Sequence, residues 1–145
     1  VAMTCPACQG FLGGNEQRPG PYGPITPQPG LESIERYIER YAGIPFPNPN
    51  VMHVQLLLHN METKTPTLED AKKWAAHFGV SRSDNQIVLV ADERFSGQAS
   101  YAMIPGFQLI DEELVLRLDS TGHQKRHDLF RELIPTLGQW VRKQR

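Results

Sequence analysis

The residues of this chain best suited to chemistry lie at its start. Its only two cysteines, in 145 residues, stand in the stretch Thr4-Cys5-Pro6-Ala7-Cys8. Two cysteines two residues apart can form a redox pair, supply half of a metal site, or occur by chance. A disulfide between them would close a very small loop and restrain the unfolded chain little, so such a bond is better explained by chemistry than by stapling. Zinc is the first rival. Cys5-x2-Cys8 and His123-x3-His127 have ligand types and local spacings found in Cys2His2 sites. The two pairs are far apart in sequence, however, whereas compact zinc sites separate them by roughly a dozen residues.

The elements that must position the pair follow from periodicity. Residues 13–30, GGNEQRPGPYGPITPQPG, are dense in glycine and proline and read as a long surface loop inserted in a single domain spanning 1–145. Residues 31–42 predict a helix with Leu31, Ile34, Ile38 and Tyr41 on its apolar face and Gly43 as C-cap. Residues 52–59 predict a buried strand. Residues 65–79 predict a helix opened by a Thr67/Asp70 capping box and closed by Gly79, with Leu68, Ala71, Trp74, Ala75 and Phe78 as its stripe. A second buried strand is expected at 86–91, then a hairpin of 107–110 and 114–118 around the tight turn Asp111–Glu113. A last helix covers 127–142, with a kink or restart at Pro135. Strands alternating with helices and closed by a hairpin predict an α/β fold with a mixed sheet and helices on both faces.

In this order and spacing the chain resembles the thioredoxin-like superfamily, closest to its TlpA-like (redoxin) thiol–disulfide oxidoreductases. Val1-Ala2-Met3-Thr4-Cys5-Pro6-Ala7-Cys8 resembles the family's strand end F-x-A-x-W-C-x-x-C, with Thr4 in place of Trp. Met103-Ile104-Pro105-Gly106-Phe107-Gln108-Leu109-Ile110-Asp111 resembles G-x-P-T-x-x-L-I-D, with Gly106 where Thr is usual. The resemblance implies a three-layer sandwich ending in a β-hairpin and helix, and a redox-active disulfide without a bound cofactor. It also implies that Cys5 attacks and Cys8 resolves, with Pro6 and Ala7 between them facing substrate. Pro105 would be a cis-proline that sets the Ile104 backbone against the sulfurs. The expected partners are protein thiols or disulfides, and a monomer is the expected state. An exported, periplasmic or membrane-anchored parent follows by analogy only. In the family a central strand runs into the motif; here only Val1 to Thr4 stand for it, so the natural chain is expected to extend further at the N-terminus.

Composition excludes several classes. A net charge of −1 without a basic face leaves no footprint for nucleic acid, and no apolar run approaches the length of a membrane span. A peroxidase of the same architecture would carry Thr three residues before the attacking Cys, and Thr4 does not stand there. A non-catalytic binding module would use the 13–30 loop, with Tyr22 its first candidate contact; a half-exposed loop tyrosine is the plainer reading. Trp74, Phe78 and Trp140 read as core, His53 and His59 as structural residues flanking a strand, and Asp92 and Glu93 as a solvated turn.

Overall fold

The computed structural model describes residues 1–95, 98–122 and 125–143. The chain is a mixed α/β protein. Its elements are α1 (Pro6–Phe11), α2 (Ile34–Ala42), β1 (His53–Leu57), α3 (Leu68–Phe78), β2 (Gln86–Val90), α4 (Gln98–Tyr101), β3 (Gly106–Ile110), β4 (Leu116–Thr121) and α5 (Ile134–Lys143). Among the described residues no helix is long and apolar enough to cross a membrane.

Helix ends follow local chemistry. Ser33 caps α2 and Gly43 closes it in the left-handed region. Around α3 the Thr67 hydroxyl accepts from the Asp70 N–H at 3.1 Å, while the Asp70 carboxylate accepts from the Thr67 N–H at 2.8 Å, a complete capping box. Pro135 has no N–H to donate, and the turn before it, Leu129–Leu133, is a π-helix that restarts as α5.

The sheet differs from expectation. In place of one mixed sheet there are two small ones: β1 and β2 parallel, β3 and β4 antiparallel. The segment expected to run between them contributes a single parallel bridge, Ala2 to His59, with the Met3 N–H donating to the His59 carbonyl at 3.0 Å. The hairpin turn is also longer than expected, Asp111 to Val115, with a register shift between Leu109 and Ile110.

Two expected apolar faces are buried only in part. In α2 the buried residues are Ile34, Tyr37, Ile38 and Ala42, and Tyr41 is exposed. In α3 Ala71 and Trp74 are buried whereas Leu68, the first helical residue, is 67% exposed. Nor are the strands buried throughout. Met52, Val54, Leu89 and Val90 are exposed.

Three buried clusters result. The largest joins Phe11, α2, Ile44, Phe46, Leu109, the π turn and α5. Its tightest approach is Gly138 on Ala42, where any side chain would meet backbone. A second, of Met3, Leu57, Ala71 and Trp74, lies under α3, where the Trp74 indole N–H donates to Gln55 Oε1 at 3.0 Å. The third, Ala2, Cys8, Leu58, Ala91 and Ile104, holds the cysteines.

Candidate functional site

Cys5 is the N-cap of α1, with extended backbone (φ −88°, ψ 113°), and Pro6 is the first helical residue. That geometry follows from the sequence. Proline at the first helical position loses nothing, since its N–H would have no helical partner, and its fixed φ suits the turn. The cap position turns the Cys5 sulfur toward the helix end, where it accepts the Cys8 N–H at 3.1 Å.

Both cysteines are free, and they approach to 2.6 Å. A sulfur–sulfur bond is about 2.05 Å long, so the pair stands within reach of forming one. The two environments differ. Cys5 is half-buried and Cys8 is 1% exposed. A hydrogen bond from the Cys8 thiol lowers the Cys5 pKa from 9.0 to about 7, helped by the Cys8 N–H and opposed by partial burial. Burial pushes the Cys8 thiol well above 9.0, and its bond to Cys5 adds to the shift. The Cys5 sulfur, in reach of solvent, is thus the one shifted toward the thiolate, and the buried Cys8 the one shifted toward the protonated thiol.

Ile104 is 9% exposed and belongs to the same buried cluster as Cys8, with Cys5 packed against it. The Ile104–Pro105 peptide bond is cis. Pro105 is half-buried and lines a pocket of about 100 Å³ with Phe11, Phe107 and Phe130. Pro6 is exposed beside the cysteines and Ala7 half-buried. Cys5, Cys8 and Ile104, a hundred residues apart in sequence, thus meet in one place.

Gln9 was not foreseen. It follows Cys8 in the helix and its side chain is fully buried. The amide nitrogen donates to the Met3 carbonyl at 2.8 Å and the Tyr22 carbonyl at 3.1 Å, and the amide oxygen accepts the Tyr22 N–H at 2.8 Å. One side chain thereby ties the residues before the motif, the helix and the glycine/proline loop together. The loop is held further by the Gln28 N–H to the Pro6 carbonyl at 3.0 Å and by Tyr22 packed edge-on against Trp74. It is irregular yet ordered by its contacts. A polar residue on the inward side of a short helix is the one sequence signal that could have marked Gln9.

His59 is also more than a strand flank. It is 1% exposed, its Nε2 lies 2.8 Å from Ser100 Oγ, and its ring stacks on Tyr101 with centroids 4.5 Å apart. It anchors the segment leading to Ile104, and burial lowers its pKa. His53 sits against Gln86, and burial lowers its pKa too. Asp92 pairs with Arg94 at the surface.

Of the zinc alternative, His123 lies outside the described residues. His127 accepts the Asp119 N–H on Nδ1 at 3.0 Å, so that nitrogen has a structural use. Among the described residues no three His, Cys, Asp or Glu side chains gather into a metal-binding group. Compared with known proteins, the chain matches no family model, no curated protein and no solved structure.

Proposed function

We propose that the protein is a thiol–disulfide oxidoreductase acting on protein substrates through Cys5 and Cys8. One observation carries the reading: the two sulfurs are adjacent but oppositely tuned, Cys5 toward the thiolate and Cys8 toward the protonated thiol. A metal site would need both as thiolates.

In the reducing direction, the Cys5 thiolate attacks one sulfur of a substrate disulfide. The substrate S–S bond breaks, a Cys5–substrate disulfide forms, and the leaving substrate thiolate takes a proton from solvent. The Cys8 thiol then loses its proton and attacks Cys5 Sγ. The Cys5–Cys8 bond forms, the second substrate thiolate leaves, and two electrons have passed from the pair to the substrate. The oxidising direction is the reverse. Burial of Cys8 delays its attack until Cys5 is consumed and no longer accepts its hydrogen bond. Ile104, packed in the same apolar cluster as Cys8, would border an extended substrate segment, although its N–H is already given to the Tyr101 carbonyl.

Reduction of insulin disulfides with dithiothreitol as donor tests the reading. The wild type should turn over, Cys5→Ser should be inactive, and Cys8→Ser should accumulate a mixed disulfide. A folded protein whose pair neither oxidises nor exchanges would end the proposal.

A further inference from the structure

We propose that the chain self-associates head to tail, with Leu114 at the hairpin tip of one copy seated in the groove between α3 and β2 of the next. The inference is independent of the cysteine chemistry, and it departs from the monomer expected by resemblance.

The knob is the turn between β3 and β4. The Asp111 carboxylate accepts the Glu113 N–H at 3.1 Å and the Val115 N–H at 2.8 Å, and the Asp111 N–H donates to the Val115 carbonyl at 3.0 Å. These bonds hold Leu114 at φ +62°, a region leucine seldom adopts. Leu114 is 86% exposed, more than any other large hydrophobic side chain among the described residues, and Val115 and Leu116 beside it are exposed as well. Single exposed leucines are ordinary. Three apolar residues fixed in a row at a braced turn, preceded by the exposed Glu112 and Glu113, form an acidic-rimmed apolar projection.

The hole lies on other elements. A groove of about 200 Å³ runs between α3 and β2, floored by Ala71, Ala75, Val80 and Val88. Lys72 and Arg82 are its only charged lining residues. Both are exposed, and neither enters an ion pair among the described residues. β2 is also the outer strand of its sheet. The Ala91 N–H donates inward to the Leu57 carbonyl, so by alternation Val88 and Val90 turn their N–H and C=O groups away from β1.

An apolar projection with two carboxylates thus matches an apolar groove with two cations and a free strand edge. Both surfaces belong to the same chain, which selects a second copy as the occupant. Because knob and hole differ, the contact is heterologous, and each copy added leaves one of each free.

Sedimentation velocity over a micromolar-to-millimolar range tests this. The expected result is a mass that rises with concentration and a Kd at least about tenfold weaker for Leu114→Glu and for Lys72→Glu/Arg82→Glu. All three side chains are exposed, so both variants should keep the wild-type circular dichroism. Mixing the two variants is the sharper arm. One lacks the knob and the other the hole, so the mixture should stop at a 1:1 heterodimer. A wild type that stays monomeric throughout, variants that associate as the wild type does, or a mixture that forms no heterodimer would each overturn the proposal.

Discussion

The tuning of Cys5 gives the most quantitative prediction. With its pKa lowered from 9.0 to about 7, half of the Cys5 population is thiolate at pH 7. A thiol left at 9.0 would be about 1% ionised there, a ratio of about 50. Nucleophilicity falls with basicity, and a Brønsted slope near 0.45 over two units removes about eightfold. The net expectation is that Cys5 reacts with iodoacetamide about six times faster than an unperturbed thiol at pH 7. The profile is more diagnostic than the rate. Alkylation should rise through a midpoint near 7 and flatten above pH 8, where an ordinary thiol is still climbing. The Cys8 hydrogen bond is the largest cause, so Cys8→Ala should move the midpoint up toward 9.0. The same shift contributes to stability of the reduced protein. A depressed folded pKa stabilises fully above the unfolded value and loses that contribution as pH falls from 9 to 7, by roughly 1–2 kcal/mol once partial exposure is discounted. The raised Cys8 pKa acts oppositely and only above 9, where its contribution is lost. A midpoint at 8.5 or higher in the wild type, or one that Cys8→Ala leaves in place, would refute the reasoning.

Four further outcomes are expected. Gln9→Leu strands the Met3 and Tyr22 carbonyls and the Tyr22 N–H in the interior, and should cost about 2–4 kcal/mol in urea unfolding while opening the 13–30 loop to proteolysis. Gly138→Ala should destabilise by about 2 kcal/mol or more even though alanine favours a helix by about 1 kcal/mol, because the new Cβ would clash with the Ala42 carbonyl oxygen; a gain in Tm would show that α2 and α5 are less closely packed. Thr67→Ala removes one arm of the capping box and should cost about 1 kcal/mol, measured by thermal unfolding. Burial lowers the His59 pKa from 6.5, so its neutral form stabilises the fold above pH 6.5 and that contribution is lost as pH falls through the lower folded value. The His59 ring should titrate below 6.5 by NMR, and a midpoint above it would contradict the assignment.

Much of the local structure was legible in the chain because it depends on near neighbours. Gly43 and Gly79 take the left-handed conformation at helix ends because they alone there carry no Cβ. Pro135 breaks the last helix because the missing N–H is a covalent fact. Cys5 and Pro6 start a helix for the same kind of reason. Tyr41 and Leu68 depart from expectation because periodicity reports which residues share a face, and burial depends on how far the neighbouring layer extends over it. Nothing in its residue type marks Gln9 as buried, and the extent of His59's burial is equally invisible there, because glutamine and histidine are usually exposed or half-exposed. Their burial is tolerable only where carbonyls, an N–H or a hydroxyl from distant segments arrive to satisfy them.

The sequence by itself determined the cap at Gly43, the capping box and Gly79 around α3, the break at Pro135, and that the 13–30 segment would be irregular. Those outcomes rest on φ preferences, caps and missing donors within a few residues. Only the tertiary structure decided that Cys8 is buried and Cys5 half-exposed, that Ile104 lies against them, and that the strands form two small sheets in place of one. Thiol ionisation depends on desolvation and on hydrogen bonds at close range. The burial that sets it is contributed by Ala2, Leu58, Ala91 and Ile104, residues that only the folded chain brings together.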